Sequence, residues 1–175
     1  LSIGLSAKRD LDTPEHTIAV VGPGTGLGGV GLCRRQQALF PIVGELGHVG
    51  FSPASEIQFS VIKELAERFG RVSNERLLSG PGIENIYWAL ARINQQNRSE
   101  SSASEIFANA AQKNDTIAEQ TLQIFFSALG QVAGEMALNL GAGGGGKLAG
   151  GRGQGTTGLL DGGGSRQCCE IIGSK

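Results

Sequence analysis

An α/β fold is predicted by the order of two residue patterns in this chain of 175 residues. The first part carries short apolar runs separated by glycine-rich turns, which favours β-strands. From about residue 55 onward, apolar residues recur at spacings of three and four, which is typical of amphipathic helices. The length suffices for one domain with a hydrophobic core.

The strand-rich part is organised around one glycine-rich loop. The β-branched run Thr17–Val21 is predicted as a buried strand. Five of the next eight residues are glycine, with Thr25 at the centre: Gly22, Gly24, Gly26, Gly28 and Gly29. An apolar run resumes at Val30, and Ala38–Val43 is a further strand candidate. Residues 17–43 are therefore predicted to form an antiparallel meander, and the polar residues 1–16 a loop that precedes it.

The glycine-rich loop has two interpretations. Without Cβ atoms, its backbone N–H groups are accessible, and phosphate is the usual ligand of such a loop. It can equally be a hairpin turn without a ligand. The spacing Gly24-x-Gly26-x-x-Gly29 also fits the dinucleotide fingerprint, but that motif requires a helix after the loop, and the residues after Val30 do not look helical.

Two further stretches place carboxylates among glycines. Glu45 and His48 stand three positions apart in a segment that is rich in glycine, and Glu75 follows in Ser73–Gly82. Glycine keeps the backbone slim, so Glu45 and His48 can face one small ligand. The alternative is that they are ordinary surface or core residues, and that Glu75 only favours a helix start through the helix dipole.

Four helices are predicted in the second part. Ser55 caps the first, which ends at Gly70; its apolar stripe is Phe59, Ile62, Leu65, Ala66 and Phe69. The second carries a stripe from Ile83 to Ile93. Ser102 and Glu105 form a capping box for the third. Asp115 caps the fourth, and about 25 residues would give a rod of roughly 37 Å that crosses the core.

Composition excludes several classes of function. The formal net charge is −1, so nothing indicates nucleic acid or a membrane surface as a partner. No apolar run is long enough to span a bilayer. Cys33 and the adjacent Cys168 and Cys169 give neither a disulfide framework nor a zinc spacing, which favours the reducing cytoplasm.

The tail, residues 141–175, is rich in glycine and is predicted to be loose unless a ligand or neighbouring segments order it. Its stretch from Gly141 to Lys147 nearly matches a Walker loop. We reject that match because Leu148 replaces the Ser or Thr that would hold magnesium, and because no strand is predicted before it.

Five motifs occur in order: Val21-Gly-Pro-Gly-Thr-Gly-Leu-Gly28, Gly44-Glu-Leu-Gly-His-Val-Gly-Phe51, Ser73-Asn-Glu-Arg-Leu-Leu-Ser-Gly-Pro-Gly82, Leu138-Asn-Leu-Gly141 and Leu148-Ala-Gly-Gly151. Together they closely resemble the bacterial glucokinase family of the actin-like ATPase fold. The resemblance implies a mixed sheet flanked by helices. It also implies that residues 1–175 are part of the large domain of a two-domain sugar kinase, without its small N-terminal domain and its C-terminal end.

The resemblance also implies a function, which is transfer of a phosphoryl group from ATP, with Mg²⁺, to O6 of glucose, a reaction of glycolysis. Glu45, His48 and Glu75 match the residues that bind the sugar. The nucleotide-binding positions that it implies are Gly22, Gly24, Thr25, Gly26 and Gly28 for phosphate, and Gly150 and Gly151 for adenosine. No metal ligand is identified in this chain. A homodimer is expected from the same likeness, while the cytoplasm is expected from the cysteine usage.

The chain departs from the family in its catalytic parts. The first phosphate loop and the Asn-Asp pair that supplies the general base are not found, and we expect both upstream of Leu1. Asn114-Asp115 matches that pair in letters only, because it stands at a predicted helix cap, so no catalytic residue is assigned. The tail has Gly145-Gly146-Lys147 where the family has an apolar strand. We therefore expect the chain alone to bind sugar weakly and to turn over negligibly.

Two alternatives to a glucokinase stay open from the residues. One is a kinase of another hexose or of an amino sugar, because many sugars offer the hydroxyl groups that Glu45 and His48 would contact. The other is a non-catalytic sugar-binding or regulatory module descended from a kinase.

Overall fold

The computed structural model describes residues 3–5, 15–96, 100–143 and 146–149. Within these ranges, five strands form one sheet in the order β1-β5-β2-β3-β4. The strands are β1 (Ile3–Leu5), β2 (Glu15–Pro23), β3 (Leu27–Arg35), β4 (Ala38–Gly44) and β5 (Gly146–Leu148). β5 runs parallel to β2 and the other neighbouring pairs are antiparallel, so the sheet is mixed.

The predicted meander is present, with longer strands and a tighter turn than expected. β2 and β3 stay paired as far as Pro23 opposite Leu27, which leaves Gly24–Gly26 as the turn. The next turn is at Gln36, whose φ of 55° lies in the left-handed region, and it leads into β4. The glycine-rich loop is therefore the end of a long hairpin.

Two short strands correct the predictions for the ends of the chain. β1 lies within residues 1–16, which were predicted as a loop, and β2 already begins at Glu15. β5 lies within the glycine-rich tail, where no strand was expected. It is ordered because it has a neighbour on each side, β1 and β2. Residues 144–145 and 150–175 of the tail lie outside the described residues.

Four helices follow the meander, as predicted: α1 (Glu56–Phe69), α2 (Gly80–Ile93), α3 (Ala103–Ala111) and α4 (Thr116–Asn139). The predicted caps Ser55, Ser102 and Asp115 are confirmed, since each accepts a backbone N–H bond in the first turn. α2 begins three residues before its predicted stripe, with Ser79 as its cap.

The core lies where the helices pack on one another and on β2. α4, which has 24 residues and is about 36 Å long, packs against α2, α3 and β2, so it crosses the core as predicted. The predicted stripe of α1 is partly wrong. Phe59 is 56% exposed, whereas Val61 and Leu65 are fully buried, because a residue two positions from Val61 lies about 200° around the helix from it.

Candidate functional site

The turn of the β2–β3 hairpin rests on the beginning of helix α2. Within the turn, the Gly24 N–H donates to the Gly26 carbonyl at 2.7 Å, and the Gly24 carbonyl accepts from the Gly80 N–H at 2.9 Å. Thr25 is exposed at the tip. Within the described part of the chain, the N–H groups of Thr25 and Gly26 donate to no other protein group. The turn therefore offers two backbone donors to an acceptor from outside.

Glu75 lies directly against this hairpin. It stands in a short 3-10 helix, Asn74–Arg76, and its carboxylate oxygen Oε2 accepts the Leu27 N–H at 3.1 Å. A Cβ atom on Gly26 would overlap that oxygen, so the close approach depends on glycine at this position. The structure thus joins two motifs that stand 48 residues apart in the sequence.

The segment Gly44–Phe51, named here the Glu–His segment, is hydrogen-bonded to residues 71–76, which include Glu75. The Asn74 side chain donates from Nδ2 to the Leu46 carbonyl at 3.1 Å, and its backbone N–H donates to Val49 at 2.8 Å. Arg71 donates from Nη2 to the His48 carbonyl at 2.7 Å. These bonds fix the backbone between Glu45 and Gly50.

Close packing brings the same segment against the hairpin. A Cβ on Gly47 would lie 2.7 Å from the Leu27 carbonyl oxygen and 3.2 Å from Glu75 Oε2. A Cβ on Gly29 would meet the Leu46 side chain at 2.6 Å. The hairpin, the Glu–His segment and the 3-10 helix that carries Glu75 therefore meet around Gly47.

The side chains of the predicted sugar pair differ from Glu75 in their surroundings. Glu45 and His48 are both exposed, at the two ends of the 3-10 helix Leu46–His48, whereas Glu75 is half-buried between segments. Glu45 and His48 follow the end of β4 on a backbone that is held in place, and the exposure of both side chains leaves them accessible to a small molecule.

The end of β5 lies beside the last residues of β2, close to the turn of the hairpin. The Ala149 N–H donates to the Val21 carbonyl at 2.8 Å, and a Cβ on Gly22 would lie 2.8 Å from the Ala149 carbonyl oxygen. Gly150 and Gly151, the predicted adenosine-binding pair, lie outside the described residues. The residue before them is nevertheless placed beside the predicted phosphate loop.

Three neighbours of the site were missed by the sequence analysis: Leu27, Arg71 and Asn74. Their contributions come from main-chain groups or from bonds to main-chain groups of distant segments, which no local pattern marks. Asn74 is 3% exposed, and its Oδ1 has no hydrogen-bond partner among the described residues. The one signal available in the sequence was that Asn74, a polar residue, directly precedes the predicted site residue Glu75.

The other carboxylates of the described residues give no second centre. Asp115, which was rejected as a base, accepts from the N–H groups of Ile117 and Ala118 and from the Tyr87 hydroxyl. Within the described ranges, no group of three His, Cys, Asp or Glu side chains is arranged to hold a metal ion. None of the helices there is long and apolar enough to cross a membrane.

A family model described as glucokinase matches residues 4–168. The chain belongs to the glucokinase family. A curated glucokinase from Hahella chejuensis is 44% identical over 132 residues, which are 75% of this chain and 41% of that protein. The chain therefore spans about two fifths of the length of this relative.

Solved glucokinase structures share the fold. A crystal structure of glucokinase from an Antarctic psychrotroph superposes with a TM-score of 0.85 at 29% identity, and covers 98% of this chain and 55% of that one. Glucokinase from Balamuthia mandrillaris, solved with glucose, superposes with a TM-score of 0.74 at 21% identity, and covers 98% of this chain and 49% of that one. At this identity the likeness shows the fold alone. The actin-like ATPase fold that the sequence motifs implied is thereby confirmed.

Proposed function

We propose that the protein to which these residues belong transfers the γ-phosphoryl group of ATP to O6 of glucose. The observation that carries the proposal is the contact between Glu75, the glycine hairpin and the Glu–His segment. Sugar phosphorylation requires a sugar and a polyphosphate to be held side by side, and this contact supports the proposal because Glu75 is suited to the first and the hairpin to the second. Membership of the glucokinase family supports the same reaction.

Glu45, His48 and Glu75 hold the sugar in this proposal. A carboxylate accepts two hydrogen bonds, which matches the vicinal hydroxyl groups of a hexose, and an imidazole donates or accepts beside it. The exposure of Glu45 and His48 leaves them accessible, while the bonds from Asn74 and Arg71 keep their backbone rigid. A rigid set of acceptors favours one orientation of the sugar.

The hairpin holds the nucleotide phosphates through Gly22, Gly24, Thr25, Gly26 and Gly28. The backbone N–H groups of Thr25 and Gly26 have no protein acceptor among the described residues, and donors fixed in this way stabilise phosphate charge without reorganisation. Gly150 and Gly151, which follow Ala149 in the sequence, bind adenosine. We propose that Mg²⁺ comes with the phosphates of ATP, which is its usual route into kinase sites.

Most of the rate enhancement in such a reaction comes from positioning and from stabilisation of charge. The described residues supply both, whereas no general base is assigned to this chain. We further propose that these residues form part of the large domain of a two-domain, cytoplasmic, homodimeric kinase, and that the product enters glycolysis.

The test is glucose-dependent formation of ADP by the full-length gene product with ATP and Mg²⁺. Glu45→Gln removes a charged acceptor, so we expect a rise of at least about tenfold in the KM for glucose, since losing a hydrogen bond to a charged group costs about 1.5–3 kcal/mol. Glu56→Gln, at the exposed start of α1, is the matched control.

A panel of hexoses and amino sugars in the same assay identifies the preferred substrate. ADP formation that no sugar stimulates contradicts the kinase proposal. Equal KM values for glucose in Glu45→Gln and Glu56→Gln remove Glu45 from the sugar site.

A further inference from the structure

Glu75 is held at both ends, by its carboxylate and by its main chain. Its Oε2 accepts the Leu27 N–H of the hairpin at 3.1 Å, and its carbonyl oxygen accepts the hydroxyl of the buried Ser79 at 2.8 Å. Ser79 also caps α2, whose first residue, Gly80, donates to Gly24 of the hairpin. A shift of the Glu75 carboxylate therefore either breaks its bond to the Leu27 N–H or moves the hairpin with it.

The second carboxylate oxygen of Glu75 is still available. A carboxylate has about four acceptor positions, and among the described residues the Leu27 N–H is the one hydrogen-bond donor to this carboxylate. Oε1 can thus accept a hydrogen bond from a hydroxyl group while Oε2 keeps its bond to the Leu27 N–H of the hairpin.

Steric contacts make the position of this carboxylate and the shape of the hairpin depend on each other. Cβ atoms at Gly26 or Gly47 would both press on Oε2. The carboxylate consequently fills the space between the turn and the Glu–His segment. A ligand that orients the carboxylate also fixes the turn.

We propose that Glu75 couples the two ligand sites, so that sugar binding tightens nucleotide binding, and nucleotide binding tightens sugar binding by the same factor. The inference rests on the proposed function, because it requires the hairpin to bind phosphate and Glu75 to bind sugar. Glu75 is in this respect a positioning residue for the nucleotide as well as a ligand of the sugar. Reciprocity of the two effects is required by thermodynamic linkage.

The sign of the coupling follows from charge. A carboxylate bonded to the phosphate-binding hairpin repels incoming phosphates. A sugar hydroxyl that donates to Oε1 draws part of that negative charge away from the hairpin and restricts the carboxylate to one orientation. Both effects favour the nucleotide when sugar is bound.

The experiment measures the Kd of glucose by calorimetry, with and without saturating AMPPNP and Mg²⁺, on the full-length protein. The coupling ratio is the Kd of glucose without AMPPNP divided by the Kd with it. We expect this ratio to be at least about fivefold in the unmodified protein, the lower end of typical coupling between sites. Glu75→Asp keeps a carboxylate but withdraws it by one methylene from Leu27, so its ratio should fall below about twofold.

Glu45→Asp is the matched control. It shortens the other sugar carboxylate, which makes no hydrogen bond to the hairpin among the described residues. It should weaken glucose binding while the ratio stays that of the unmodified protein. An unchanged ratio in Glu75→Asp, or a ratio near one in the unmodified protein, overturns the coupling. If the unmodified protein binds neither glucose nor AMPPNP, the kinase proposal itself is wrong.

A second measurement needs no variant and so does not depend on whether Glu75→Asp folds. Glucose alone should slow hydrogen exchange of the Leu27 amide severalfold, because that N–H bonds to Oε2. The Leu32 amide, further along β3, is the internal control. Equal responses of Leu27 and Leu32 to glucose contradict the proposal.

Discussion

Gly47 is the residue at which three separate segments of the candidate site come closest. Its missing side chain leaves room for the Leu27 carbonyl oxygen on one side and the Glu75 carboxylate on the other. Main-chain atoms cannot move aside cheaply, so a side chain at this position has to push the hairpin and the Glu–His segment apart.

We expect Gly47→Ala to lower the free energy of unfolding by about 1–3 kcal/mol, the usual cost of inserting a methyl group into a packed site. Glucose affinity should fall as well, since the separation displaces Glu75. Urea unfolding and calorimetry measure the two effects. Gly44→Ala is the control, because nothing lies within 4 Å of its Cβ position. Equal losses from both substitutions would argue against tight packing at Gly47.

Glu105 gives a residue-scale prediction on pH. Its carboxyl pKa is lowered below the ordinary range, first by the hydrogen bond from the Ser102 backbone N–H and then by the Ser102 hydroxyl. A group whose pKa is lowered on folding stabilises the folded state above its unfolded pKa, about 4.3, and this contribution is lost as the pH falls through the folded pKa.

Acid titration followed by NMR should therefore show that α3 loosens at its first turn as the pH falls below the ordinary glutamate pKa of about 4.3 and through the lower pKa of the folded state. Ser102→Ala should raise the Glu105 pKa only part of the way to its ordinary value, because the backbone N–H bond is retained. A Glu105 pKa that does not respond to this substitution would contradict the role of the hydroxyl.

Residues that act within their own segment could be predicted from the sequence, and those that act across the fold could not. Ser55, Ser102 and Asp115 cap helices that begin just after them, so a local pattern identified them. The bond between Leu27 and Glu75 depends on a register that only the folded sheet sets. The sugar and phosphate roles of Glu45, His48 and Thr25 came from family motifs and stay predictions.

Short segments bonded to one another, rather than long helices, hold the site together at the scale of elements. The two 3-10 helices, Leu46–His48 and Asn74–Arg76, face each other, and Asn74 bridges them with its side chain and its main chain. Asn74 is buried, and its Oδ1 has no partner among the described residues, so the bond that its side-chain amide makes here is the one donated by Nδ2.

Asn74→Asp replaces that donor by a second acceptor and places a charge in a buried position. We expect a loss of at least about 3 kcal/mol in the free energy of unfolding, because leaving a buried polar group unsatisfied costs about 1–3 kcal/mol and a charged group costs more. Asn94→Asp is the control, since Asn94 is exposed and bonds to Leu90 of its own helix. It should cost less than about 1 kcal/mol, the effect of a negative charge at a helix C-terminus. Denaturant unfolding measures the free energy of unfolding of both variants. Similar losses in the two would refute the role of Asn74 as a bridge between the 3-10 helices.

Elements with a strong period were predictable, and elements defined by their neighbours were not. The meander and α4 carry clear alternation or helical spacing. β1 and β5 have three residues each, one of which is a glycine in both strands, so neither has a pattern of its own. The start of α2 was predicted too late, because the Gly-Pro-Gly stretch after Ser79 resembles a turn. Ser79 caps the helix, so these three residues form its first turn.

At the scale of the whole molecule, the sheet ends in an apolar edge. β4 is an edge strand among the described residues, and all seven of its positions are exposed. The side chains of Leu39, Phe40 and Val43 are 62%, 54% and 81% exposed. An exposed apolar edge strand is a common starting point for association between chains.

Val43→Lys should accordingly lower the rate at which the protein aggregates on mild heating, measured by light scattering. A charge on an edge strand opposes pairing with another edge. Leu138→Lys is the control, because Leu138 is 78% exposed but lies on α4. Equal effects of the two substitutions would indicate that general charge, and not the edge, is responsible.

The parallel pairing of β5 with β2 has a consequence for the order of folding. All four helices separate Ala19 from Gly146, its partner in the pairing, so a long loop must close before these strands meet. The β2–β3 hairpin needs only its own turn. Because loop closure slows the formation of distant contacts, we expect the hairpin to form early and β5 to dock last. The segment that leads to Gly150 and Gly151 then reaches the hairpin in the final step of folding.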